Sequence, residues 1–83
     1  MLMIELVEKK ILEKLKNVNK EVKVRTIDFV NEIIKELKKE IEIDSDKEVE
    51  IRPLIVDILW QYRKKGLVKF DDSLLTFEKI SDL

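Results

Sequence analysis

Eighty-three residues are enough for one domain, and 17 Lys+Arg against 18 Asp+Glu leave a net charge of −1, with no His, no Cys and one each of Gly, Pro, Trp and Tyr. Without His or Cys the usual zinc and iron–sulfur ligand sets, Cys–His and Ser–His–Asp nucleophilic sites and disulfide staples are excluded. What is expected is a non-enzymatic binding domain with no metal, no other cofactor and no small-molecule substrate.

From Met3 the apolar residues Ile4, Val7, Ile11, Leu15 and Val18 recur every three or four positions, with Glu5, Glu8, Lys9, Glu13 and Lys16 between them, which predicts an amphipathic helix over 3–17. Asn17 and Asn19 break it. Glu21-Val22-Lys23-Val24-Arg25 then alternates polar and apolar as a short half-buried strand over 21–25. Thr26 is placed to cap a second helix over 27–40, whose core stripe is Ile27, Val30, Ile34, Leu37 and Ile41, widened by Phe29 and Ile33. Asp28 adds negative charge to its first turn.

Residues 40–51 read as an acidic connection, with Glu40, Glu42, Asp44, Asp46, Glu48 and Glu50 against Lys47. Ile41/Ile43 and Val49/Ile51 alternate as a small hairpin would, while Ser45 with Glu48 matches a capping box, so hairpin and helix both stay open. Arg52-Pro53 favours a third helix opening at Pro53, where the missing N–H costs nothing. That helix, over 53–65, runs through Leu54, Ile55, Ile58, Leu59 and Tyr62 and stops at Gly66 after Arg63-Lys64-Lys65. Two β-rich runs around Asp71-Asp72-Ser73 predict a closing hairpin over 67–80.

The composition is 45% hydrophobic, rich in Ile, Leu and Val, so a core is affordable despite 42% charged residues. A domain of this size buries only about 60–65% of its unfolded surface, so single core losses should be felt. No apolar run approaches the roughly 18 residues of a membrane span, and Met1-Leu2-Met3-Ile4-Glu5 meets an acid too soon for a signal peptide, so a cytoplasmic protein is expected. Fourteen Lys and eleven Glu with no Ala and one Gln form a thermophile-like bias, which an AT-rich genome would also produce.

The order helix, strand, helix, helix, hairpin, and above all Ile58-Leu59 through Tyr62-Arg63-Lys64-Lys65-Gly66-Leu67-Val68 before the hairpin, resembles the winged-helix class of helix-turn-helix domains. The resemblance spans nearly the whole chain and implies a single α+β domain over 1–83. It also implies that 53–65 is a recognition helix, that 68–77 is a wing, and that the second helix crosses the nucleic-acid backbone. The partner would then be double-stranded DNA, bound in transcription regulation or another DNA-processing role by a homodimer. The contacts would fall on Arg52, Gln61, Arg63, Lys64, Lys65 and Lys69. The same fold also serves purely protein-binding modules.

Divided by region, residues 1–25 carry +3, 26–51 carry −5, 52–69 carry +4 and 70–83 carry −3. The basic block coincides with the proposed recognition helix, as a DNA footprint should. The acids before it and Asp71-Asp72 at the wing tip oppose phosphate at about 1 kcal/mol per close pair in water. At 100° per residue, Pro53, Val56 and Trp60 fall roughly opposite the predicted core arc of the third helix, where base readout wants polar side chains. The alternative is therefore a protein-interaction module of the same fold with Pro53, Val56 and Trp60 at its interface, unless Trp60 is covered within the monomer. Asp44, Asp46 and Glu48 have the spacing that opens a calcium loop, but Val49 stands at the sixth position and Ile55 at the twelfth, so a solvated acidic loop is expected.

Overall fold

The computed structural model describes residues 3–82; Met1 and Leu2, on which part of the signal-peptide reading falls, lie outside them, as does residue 83. Six elements follow in chain order: α1 (Met3–Lys16), β1 (Val24–Arg25), α2 (Thr26–Lys38), α3 (Ser45–Lys64), β2 (Val68–Phe70) and β3 (Thr76–Lys79). The strands form one antiparallel sheet in the order β1-β3-β2, so the first short strand returns to pair with the last. This is a small α+β domain of three helices and a three-stranded sheet, compatible with a winged-helix arrangement. Among the described residues, no helix is long and apolar enough to cross a membrane.

The three helices cover the stretches that the apolar spacing predicts, α3 extending further at its N-terminal end, and their buried faces make one core. Val7, Ile11 and Leu15 of α1 meet Phe29, Val30, Ile33, Ile34 and Leu37 of α2 and Ile51, Ile55, Ile58 and Leu59 of α3. Removing any one of the aliphatic side chains from so small a core costs about 2–5 kcal/mol. Ile4 and Ile27, both expected in core stripes, lie outside it and are exposed.

The sheet is fastened to the helices by an aromatic chain. Phe29 meets Phe77 edge to face at 5.3 Å, Phe77 meets Phe70 at 5.6 Å, and Phe70 stacks on Trp60 at 5.1 Å. A lysine completes the core: Lys79 is buried, and its ammonium donates to the Leu15 carbonyl at 2.9 Å. It adds a second donor to a carbonyl at the negative end of α1 that also accepts from the Val18 N–H at 3.1 Å.

Four local expectations are corrected. The strand expected over 21–25 forms a ladder only at Val24 and Arg25; Glu21, at a left-handed φ of 64° that interrupts the extended run, still donates its N–H to the Lys79 carbonyl at 3.0 Å. Thr26 does not cap α2: the N-cap residue is Arg25, without a side-chain bond, and the Thr26 hydroxyl oxygen is buried with no partner among the described residues. The backbone supplies the fastening instead, since the Thr26 N–H donates to the Leu75 carbonyl at 2.9 Å.

The acidic connection over 40–51 is largely helix, and α3 begins at Ser45, eight residues before the expected opening at Pro53. Asp44 caps it, its carboxylate accepting from the Lys47 N–H at 2.8 Å, and Asp46 and Glu48 sit in the positive first turn. Three of the six acids, Asp44, Asp46 and Glu48, are thus explained by helix initiation. Pro53 lies inside the helix and leaves the Val49 carbonyl without its i+4 donor. Both residues are exposed, so water can take that acceptor. At the other end the expectation holds. Gly66, at φ 78°, lets its own N–H reach the Arg63 carbonyl and that of Leu67 reach Tyr62, both at 3.0 Å.

Candidate interaction surface

The six residues expected to contact DNA do not form one surface. Arg52 is half-buried between α2 and α3, its Nη2 donating to Asn31 Oδ1 at 2.7 Å and to Glu48 Oε1 at 3.2 Å. Lys38 bonds the same Glu48 carboxylate at 3.3 Å, and these two cations, Lys38 first, hold the Glu48 carboxyl below its usual range. Arg52 therefore fastens α3 to α2. Along α3 it lies about 18 Å from Lys64 and on the face opposite Gln61, by the rise and twist of an ideal helix.

The other five are exposed near the junction of α3 and β2. The Arg63 guanidinium carbon lies 4.8 Å from the Trp60 ring centroid, and Lys65 Nζ lies 5.9 Å from that of Tyr62. Lys69 stands opposite Glu78 in the hairpin register. Three of these cations also close a helix C-terminus, where positive charge is favourable in any protein. The water-facing side of α3 leads with Asp46, Glu50 and Asp57 before Lys64 is reached.

Of the three residues expected at a protein interface, Trp60 goes elsewhere. Its ring stacks on Phe70 with planes 12° apart, so the wing root covers it within the monomer. Pro53 and Val56 instead face a groove of about 560 Å³, whose other apolar walls are Ile27 and Val30 of α2 and Leu74 and Leu75 of the β2–β3 turn. Arg25, Arg52, Thr26 and Thr76 complete the lining. Ile27 is 57% exposed and Leu75 is 70% exposed.

The turn that presents the leucines is built by Asp71. Its carboxylate accepts from Thr76 Oγ1 at 2.7 Å and Ser73 Oγ at 3.0 Å, and its carbonyl accepts from the Leu74 N–H at 3.1 Å. The Thr76 bond is the main reason the Asp71 carboxyl is held below its usual range, with Ser73 adding to it. Within this frame Leu74 sits at φ 63°, a left-handed conformation that costs a non-glycine residue about 1–2 kcal/mol. A leucine held there with its side chain half in water does nothing for the core.

Ile27, Leu74 and Leu75 escaped the sequence reading for a simple reason. Ile27 has the spacing of a core residue, and Leu74-Leu75 has the composition of a strand. The available signal was Asp71-Asp72-Ser73, whose turn chemistry extends as far as Thr76 and so leaves both leucines in the turn. Comparison of the chain with known protein families, with curated proteins and with solved structures gives no match.

Proposed function

We propose that this domain is a protein-interaction module with a winged-helix-like arrangement, and that its contact face is the apolar groove between α2, α3 and the wing turn. The observation that carries the reading is the exposure of Ile27, Leu74 and Leu75 around a groove walled by Val30, Pro53 and Val56, with the exposed Val49 beyond its lining. Val49 lies one turn before Pro53 on the same side of α3. A chain this short needs its aliphatic side chains for the core, and a contiguous exposed set of them is what a protein contact uses. The acids on the water-facing side of α3 support the same reading, because they would repel phosphate at the helix expected to read DNA.

Double-stranded DNA is the second reading, favoured by the exposure of Lys64, Lys65 and Lys69 around the junction of α3 and β2. It would need the contact to shift to the C-terminal end of α3 and the wing root. Two measurements separate the readings. A photo-crosslinking amino acid at Val49, in cells expressing the full chain, should yield protein adducts, and a labelled duplex at low salt should show no saturable binding. Saturable duplex binding that falls steeply with salt, weakens in Lys64→Ala and Lys65→Ala, and survives in Leu75→Asp would overturn the first reading in favour of the second.

A further inference from the structure

We propose that residues 45–52 form a clasp, a first segment of α3 that docks on α2 and releases from it as a unit, with Pro53 as the joint. The two sides of that proline are packed differently. Before it, Ile51 is the one buried side chain; after it, Ile55, Ile58 and Leu59 are all buried, and Leu54, Val56 and Tyr62 pack against the same core. At the joint Pro53 has no N–H to give, so the hydrogen-bond ladder that makes a helix cooperative is interrupted at the Val49 carbonyl. A segment with little buried apolar surface and a broken link to its neighbour is the kind that opens locally, at less cost than global unfolding.

What holds the clasp shut, apart from Ile51, is polar and reached by water. Glu48 accepts from Lys38 of α2 at 3.3 Å and from Arg52 at 3.2 Å, and Arg52 donates to Asn31 of α2 at 2.7 Å. Glu48 therefore ties its segment to α2 twice, directly through Lys38 and by orienting Arg52 toward Asn31. Accessible ion pairs of this kind contribute little and are screened by salt. Eight residues are too few to stay helical alone, so a released clasp melts rather than swings. Ile51 then enters water, which keeps the open state scarce. Opening also remodels the groove: Arg52 leaves its edge with a free guanidinium, while Val56 stays with the buried part of α3.

Residue-resolved amide exchange of the full chain tests this, with circular dichroism to confirm that each variant is folded. The expected profile is a step at Pro53, residues 48–52 exchanging together at least about tenfold faster than 54–62. Glu48→Gln should speed 48–52 by about threefold or more and leave 54–62 unchanged. Glu50→Gln, whose carboxylate pairs with Lys47 inside the same segment at 3.5 Å, should change neither. Pro53→Ala should shrink the step, because it restores the missing bond of the ladder. A smooth gradient from 48 to 62 is ordinary fraying of a helix end and would overturn the proposal. So would a Glu48→Gln variant that leaves 48–52 unchanged or speeds 54–62 equally, a Glu50→Gln variant that matches it, or a step that Pro53→Ala leaves intact. Exchange reads the opening whatever the groove binds, so failure here leaves the interaction reading standing.

Discussion

The indole of Trp60 lies flat on the ring of Phe70, with centroids 5.1 Å apart and planes 12° apart, and Phe70 in turn meets Phe77 at 5.6 Å. A residue that helical phase directs outward is thereby tied to the aromatic chain that holds the wing to the core. Trp60→Ala should destabilise the fold by about 3–5 kcal/mol, as truncation of a packed aromatic does. Because Trp60 is the only tryptophan, Phe70→Ala should shift its emission to the red even in the folded protein. Denaturant unfolding and fluorescence check both. A Trp60→Ala protein of unchanged stability would mean that the stack does not fasten the wing.

Helix initiation at Asp44 sets up a contrast with Thr26. Asp44→Ala should cost about 1 kcal/mol, the usual value of a lost N-cap. Thr26→Val should be neutral or stabilising, because the hydroxyl it removes is buried without a partner among the described residues. Thermal or urea denaturation of the pair measures the difference directly, and a costly Thr26→Val would reinstate Thr26 as a cap.

Lys79 makes a third prediction. Lys79→Met keeps the apolar stem but removes one of two donors to the Leu15 carbonyl, which keeps the Val18 N–H, so the loss should be about 1.5 kcal/mol, the low end for a charge-assisted bond. Amide exchange should rise first in the last turn of α1. Exchange that rises uniformly instead would show that the lysine does not anchor that helix end in particular.

Pro53 separates stability from binding. Pro53→Ala restores a donor to the Val49 carbonyl. A proline inside a helix costs about 3 kcal/mol, and the stiffness it gives the unfolded chain returns about 0.4–1 kcal/mol, so the variant should be more stable by about 2 kcal/mol. It also removes a ring from the groove wall. Melting temperature should rise while partner capture falls, and a rise in both would argue against a role for Pro53 in the contact.

Acid should loosen the molecule in a defined direction. Glu48, Glu36 and Asp71 are all held below their usual values, principally by hydrogen bonds from Lys38, Lys39 and Thr76 respectively. A carboxyl depressed in the folded state contributes stability that is present above its unfolded pKa and lost as pH falls through the folded value. Stability should therefore be level near neutrality and decline below about pH 4, where free carboxyls begin to protonate. All three are solvent-accessible, so salt should flatten the decline. A urea midpoint that rises on acidification would contradict the assignment.

The sequence by itself determined the three helices, the closing hairpin, the Gly66 stop and the absence of His and Cys chemistry. These depend on local spacing and on composition, which are legible along the chain. It also placed Pro53 and Val56 opposite the predicted core arc of the third helix, although Val56 packs partly against the core. The tertiary structure alone decided where α3 begins, because Ser45 to Glu50 suits a hairpin as well as a helix until Lys38 and Arg52 close on Glu48. It alone sent Arg52 to Asn31 and Trp60 to Phe70, since a side chain's partner 10 or 21 residues away has no signature in local periodicity. The groove belongs wholly to that second kind of information: Ile27, Val56 and Leu75 come from three elements, and only their packing makes them neighbours.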